Sequence, residues 1–207
     1  MHISKHLAYA AAAFLIASLV ACATTPTLTG SWRDDTYTGK FEKVLVVGIS
    51  ANQTARRLFE DTVANGLKAR GIEASALSRV APGDAMPDKT TIEAMIREKS
   101  FASVITTRVI GKEKDTRYVP GSYNMPPRHY YHRMNNYVDT VYPVVYSPGY
   151  LVDDTIVSLE SNGYDTAAGK LVWSITTELF NPNNLDKEVG QLSDLIIKQL
   201  EQNGLIP

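Results

Sequence analysis

The chain has one cysteine, Cys22, among its 207 residues, so no internal disulfide can form and stability has to come from packing. Long apolar runs are missing as well. The stretch over residues 7–20 falls short of the roughly 20 apolar residues that a transmembrane helix needs. Charge of one sign is not in excess: 21 Lys and Arg face 22 Asp and Glu, which leaves no basic footprint for nucleic acid. No Ser stands in G-x-S-x-G, and the turn Gly48-Ile49-Ser50-Ala51-Asn52 lacks the G-x-G-x-x-G of a dinucleotide site. Residues 163–170 run from Gly163 to Gly169-Lys170, but with one residue too many for a phosphate-binding loop. Leu171 also stands where Ser or Thr would hold magnesium. His129 and His132 make at most half a metal site. Asp153 and Asp154 are strand neighbours that point to opposite faces, so they form no natural catalytic pair; a hydrolase using a pair that includes Glu160 stays open. These absences point to a chain that is not an enzyme and holds neither cofactor nor metal.

What is present begins at the N-terminus. Residues 1–6 carry Lys5 and no acid, residues 7–20 are apolar, and Leu19-Val20-Ala21-Cys22 follows. This is the order of a secretory signal: basic, apolar, then small residues at the cut. Leu19-Val20-Ala21-Cys22 resembles the lipobox of bacterial lipoproteins. The resemblance implies diacylglycerol on the Cys22 sulfur, cleavage before Cys22 and acylation of the new amino group. Two or three acyl chains, palmitate among them, anchor stably where one does not. Ala23, rather than Asp, follows the cysteine, which by the rule of that family points to the periplasmic face of the outer membrane. A signal peptide over residues 1–21 leaves 186 residues, enough for one domain with its own core.

Residues 22–40, with their Thr, Gly and Pro, read as a lipidated tether that Trp32 and Tyr37 help to dock. The domain proper spans residues 41–207. Lys43–Ile49 is a continuous apolar run and predicts a buried, parallel strand. Ser50 or Asn52 can cap the helix that follows, whose apolar positions are Ala55, Leu58, Phe59, Thr62, Val63, Gly66 and Leu67, with Gly71 stopping it. Residues 72–77 predict a second strand. Thr90-Thr91-Ile92-Glu93 has capping-box spacing for a second helix, and residues 101–110 a third strand. Further on, residues 151–164 and the alternating Leu171, Trp173, Ile175, Thr177 and Leu179 predict an antiparallel hairpin. A last helix begins at Asn181-Pro182 and ends at Asn203-Gly204-Leu205. The expected fold is α/β: β-α-β-α-β, an insertion, a hairpin and a C-terminal helix around one mixed sheet.

The insertion, residues 117–150, holds eight of the eleven tyrosines (Tyr118, Tyr123, Tyr130, Tyr131, Tyr137, Tyr142, Tyr146 and Tyr150) and five of the ten prolines. Its prolines exclude a regular helix and a central strand. Tyrosine supplies rigid amphipathic contact area, and proline lowers the entropy lost on docking. The segment reads equally as a contact surface or as an excursion packed on its own domain.

Taken together, the Cys22 lipobox, Ser31-Trp32-Arg33-Asp34, Lys43-Val44-Leu45-Val46-Val47-Gly48, the Tyr/Pro stretch and Gly169-Lys170-Leu171-Val172-Trp173 resemble a group of uncharacterised proteobacterial lipoproteins. At the level of fold, the element order is similar to the periplasmic domain of the curli-secretion lipoprotein and the N-terminal domain of TolB. Those resemblances imply a non-catalytic binding or envelope-assembly module with a protein partner, held to the membrane through Cys22. Two alternatives stay open. One is a periplasmic enzyme or small-ligand-binding protein with a pocket at the C-terminal ends of the strands. The other is a homo-oligomer joined through the Tyr/Pro segments.

Overall fold

The apolar run Lys43–Ile49 becomes strand β2, and its near-complete burial on both faces places it inside a sheet. The computed structural model describes residues 25–83, 85–120 and 150–207. Around β2 the elements are β1 (Thr27–Arg33), α1 (Gln53–Lys68), β3 (Glu73–Ala76), α2 (Leu77–Val80), α3 (Lys89–Glu98), β4 (Ser103–Val119), β5 (Tyr150–Asp165), β6 (Lys170–Phe180) and α4 (Leu185–Gln202). The six strands form one mixed sheet in the order β1-β6-β5-β4-β2-β3. β2 pairs in parallel with β3 and β4, while β4, β5, β6 and β1 pair antiparallel in succession.

Alternation along β2 sends its side chains to two different cores. Val44 and Val46 join Ile105, Trp173 and Ile175 beneath α1 and α4. Leu45 and Val47 join Val104, Phe101 and Leu77 on the other face, where Ile92, Met95 and Ile96 of α3 pack. Both turns after long helices are closed by glycine at positive φ. At Gly71, Ile72 N–H donates to Leu67 O at 3.2 Å and Gly71 N–H to Lys68 O at 2.9 Å. At Gly204 the corresponding bonds run from Leu205 to Leu200 and from Gly204 to Glu201. These are the paired bonds of a Schellman ending, as expected at both places.

Several boundaries differ from the sequence reading, each for a local reason. Residues 27–33, expected in the tether, form the edge strand β1 on β6. An edge strand exposed on both sides needs no apolar alternation, so its pattern was silent. α3 is capped by Asp88, whose Oδ1 accepts from Thr91 N–H at 2.7 Å, and not by Thr90. Leu77, expected to close a strand, opens α2. α4 starts at Leu185, after Asn184 rather than at Asn181-Pro182: the Asn184 side chain accepts from Lys187 N–H at 3.0 Å. On α1 the buried residues are Arg56, Phe59, Glu60, Val63, Ala64 and Leu67, with Leu58 half-buried against the same core and Ala55 and Thr62 half-buried. β4 runs on to Val119 instead of stopping at Ile110.

The β5–β6 hairpin closes through residues 165–170, the stretch that superficially resembles a phosphate loop. It is a turn, with Gly169 at positive φ and Ala168 N–H donating to Asp165 Oδ2 at 2.7 Å. Lys170 reaches from it to Asp34, at 2.5 Å. With two hydrogen bonds from Thr36, this ammonium holds the Asp34 pKa at about 2, below its ordinary 3.8. The segment after β1 is thereby tied to the hairpin.

Candidate functional site

β4 and β5 are longer than the sheet that carries them. β2 follows β4 only as far as the pair Ile49–Arg108, and β6 follows β5 only as far as Phe180–Ile156. Residues 114–119 and 150–155 therefore pair with each other alone, as a two-stranded ribbon standing off the fold. Such a ribbon has few contacts of its own and is marginal in isolation.

Its root is held by Asn181, the first residue after β6, in the left-handed conformation at φ 48°. Asn181 N–H donates to Thr155 O at 2.7 Å and its Oδ1 accepts from Thr155 N–H at 2.6 Å. Its Nδ2 donates to Asp154 Oδ1 at 2.7 Å. Asp154 is buried and meets Arg117 Nη2 at 3.5 Å on its other oxygen. Further out, Thr116 Oγ1 donates to Asp153 Oδ1 at 2.8 Å. Asn181→Ala removes two side-chain bonds and leaves a left-handed residue without a reason to be there. The expected result is faster amide exchange across residues 150–155 and a loss of about 1–3 kcal/mol. Asn181→Gly, which keeps the backbone conformation, should lose less.

The ribbon carries the only two expected contact tyrosines that lie among the described residues. Tyr118 and Tyr150 are 60% and 61% exposed, and Leu151, opposite Tyr118, is 67% exposed. Tyr123, Tyr130, Tyr131, Tyr137, Tyr142 and Tyr146 lie outside the described residues, as do His129, His132 and Cys22.

At the base of the ribbon, the C-terminal ends of β2 and β6 and the middle of β4 meet the N-terminal turns of α1 and α4. A cleft of about 210 Å³ opens there, floored by Val109, Val157, Leu159 and Leu179 and walled by Phe59 and Val189. This is where open α/β sheets place ligands. Its lining is mostly apolar, with Ser50, Arg56, Thr107, Arg108 and Glu188 among the residues around it. The carboxyl of Glu188 at its edge is occupied, with Oε1 accepting from Asn183 N–H and, at 2.8 Å, from Asn184 N–H.

Below the cleft is a group that sequence reasoning missed. Glu60 is fully buried and clamps two elements: Gly48 N–H donates to its Oε1 at 3.0 Å and Ser78 N–H to its Oε2 at 2.8 Å. It joins the end of β2 to the start of α2. Nothing in the sequence marks it, because it is one acid among the alternating charges of a helix.

The weighed carboxylates do not converge. Asp153 and Asp154 bind different partners, and Glu160 pairs with Arg108 at 3.0 Å. Among the described residues no group of three or more His, Cys, Asp or Glu side chains is placed to share a metal ion.

No family model and no curated protein matches the chain. Among solved structures it is similar to PelC of Paraburkholderia phytofirmans, a dodecamer, at 16% identity and TM-score 0.47, over 84% of this chain and 96% of that one. It is similar to the lipoprotein GNA1162 of Neisseria meningitidis at 16% identity and TM-score 0.42, over 78% and 99%. A minor lipoprotein of Acinetobacter baumannii matches at 11% identity and TM-score 0.34, over 81% and 97%. Likeness at this level does not carry activity, partner or assembly from one chain to another.

Proposed function

We propose that this chain is an envelope lipoprotein, anchored by acyl chains on Cys22 at the periplasmic face of the outer membrane, that acts as a non-catalytic binding or assembly module. Its contact arm is the β4–β5 ribbon together with the Tyr-rich segment between the two strands. The observation that carries this reading is the ribbon itself: two strands that leave the sheet and hold Tyr118, Tyr150 and Leu151 in solvent. Large aromatic and aliphatic side chains held clear of a fold cost solubility, and patches of them mark interaction sites. The partner is sought in the envelope, a second copy of the chain included.

The test is crosslinking in intact envelopes, comparing the full chain with a variant in which residues 112–155 are replaced by a short turn. None of the described residues between 112 and 155 belongs to either core cluster, so the variant should fold. It should lose the crosslinked partner. An unchanged set of crosslinks would move the contact surface elsewhere.

The strand-end cleft supports a second reading, a site for a small apolar ligand. At about 210 Å³ it has more room than the roughly 150 Å³ apolar cavity that accommodates benzene. Its mostly apolar surface suits such a ligand.

A further inference from the structure

The exposed apolar side chains are not spread evenly over the molecule. Eleven large ones are exposed among the described residues, and Trp32 alone lies away from one end of the sheet. Ile49 and Phe180 end β2 and β6, Val109 and Ile110 lie on β4 just past its last pair with β2, and Leu185 opens α4. Leu28 stands beside Thr177 on β1, and Met86 lies in the loop after α2, which Arg57 ties to α1 through Gly83 O at 3.0 Å. Tyr118, Tyr150 and Leu151 are at the far end of the ribbon that leaves from this same end. The opposite end, with the residue 165–170 turn, Gly71 and the C-terminal turn of α4, has none of them.

The chain also joins the fold at the apolar end. Thr27, the first residue of β1, pairs with Glu178 near the end of β6, and Pro26 just before it is buried. Cys22 is five residues upstream of Thr27, so an anchored cysteine lies at most about 18 Å from it even when those residues are fully extended. The ribbon is longer than that. Thr27 stands beside Glu178, which is level with Ser158 and Gly111, and residues 112–119 beyond that level reach about 27 Å at roughly 3.4 Å per residue. A tether shorter than the arm beside it brings the arm's tip to whatever surface holds the tether.

The tip has the chemistry of that surface. Along the ribbon, Lys112, Glu113, Lys114, Asp115, Thr116 and Arg117 come first, and Tyr118 and Val119 come last, opposite Leu151 and Tyr150. Aromatic rings with a polar edge, beside aliphatic side chains and below charged stems, suit the boundary between headgroups and acyl chains.

From the length of the tether, its point of attachment and this gradient we infer that Tyr118, Val119, Tyr150 and Leu151 rest in the headgroup layer of a phospholipid bilayer. The domain then stands with its strand-end cleft facing the membrane. The inference rests on lipidation of Cys22 as proposed above, and it assigns the described tip of the arm to lipid rather than to a protein.

The cysteine content makes the test clean. With the Cys22 sulfur in a thioether, Leu151→Cys or Tyr118→Cys is the one free thiol and takes a nitroxide label. Lys68→Cys, at the polar end, is the reference. All three side chains are surface-exposed or replaceable without loss of core, and circular dichroism of each labelled chain establishes that it is folded. The full lipidated chain is reconstituted into phosphatidylcholine vesicles, and label accessibility to oxygen and to a nickel chelate is read by electron paramagnetic resonance. The expected result is a several-fold rise in the oxygen-to-nickel ratio at positions 118 and 151, with no change at 68. Labels at 118 and 151 as water-accessible as the reference would overturn the inference. Labels that are water-accessible on pure lipid but shielded in native envelopes would overturn it too, in favour of a protein partner, and would leave the proposed function standing. Intact mass separates the remaining case: a chain without acyl groups on Cys22 removes the anchor, and both readings go with it.

Discussion

Glu60→Ala should destabilise the domain by about 2–5 kcal/mol, because it strands two buried backbone donors that each cost about 1–3 kcal/mol when unpaired. Gly48 N–H and Ser78 N–H both end on this one carboxyl group, which is fully buried. No substitute is at hand. A Cβ at Gly48 would already lie 3.1 Å from Arg56 Cγ, so the backbone there is closely covered. Against a typical total of about 5–15 kcal/mol, a loss of this size is plainly visible in a urea titration. Glu60→Gln should fall between wild type and alanine. One amide oxygen still accepts a bond, while the NH2 turns a donor toward a donor. A change of less than about 0.5 kcal/mol in Glu60→Ala, the scale of an ordinary surface substitution, would show that the junction of β2 and α2 does not depend on the clamp.

Trp173→Ala is the second large effect, a loss of about 3–5 kcal/mol. Trp173 has no exposed surface and lies in the cluster that joins β6 to α1 and α4. Its neighbour across the sheet is Gly163, where an added Cβ would lie 2.8 Å from Phe41 Cζ and 3.3 Å from Trp173 Cε3. The glycine is what lets the two rings meet, so the hole left by alanine cannot close by a small shift. Trp173→Phe should cost less, about 1–2 kcal/mol. It keeps a ring in the pocket and removes the Nε1–H, which is buried without a hydrogen-bond partner. Thermal unfolding of the two variants side by side would separate packing from polarity. Equal losses would mean that the indole edge, not ring volume, is what the site requires.

The strength of the sequence signal followed burial. β2 was legible because a run buried on both faces has to be apolar throughout, and β6 because one buried face forces alternation. The helix ends at Gly71 and Gly204 were legible because the left-handed residue there favours glycine. β1 and the outer half of β4 were not, because their side chains meet water on both sides and their order comes from backbone pairing, which carries no side-chain code. The start of α4 was misplaced for a related reason. Pro182 suits a first turn, but Asn181 is committed to Thr155 and Asp154, and Asn184 is free to cap. The tyrosine count drew attention to residues 117–150, and the strand after them was read at residues 151–164, but nothing revealed that β4 runs on to Val119 before them. Glu60 and Asn181, which fix the base of the arm and of the cleft, act through partners 12 to 27 positions away, backbone N–H groups and the Asp154 carboxylate. Spacing rules reach three or four.

The claim that the arm is the working surface is tested most directly by photocrosslinking in living envelopes, with a benzophenone side chain in place of Tyr118, Leu151 or, at the polar end, Lys68. The account predicts adducts at positions 118 and 151 and none at 68. Adducts at 68 alone, or no adduct at 118 and 151, would contradict it and return attention to the cleft between α1 and α4.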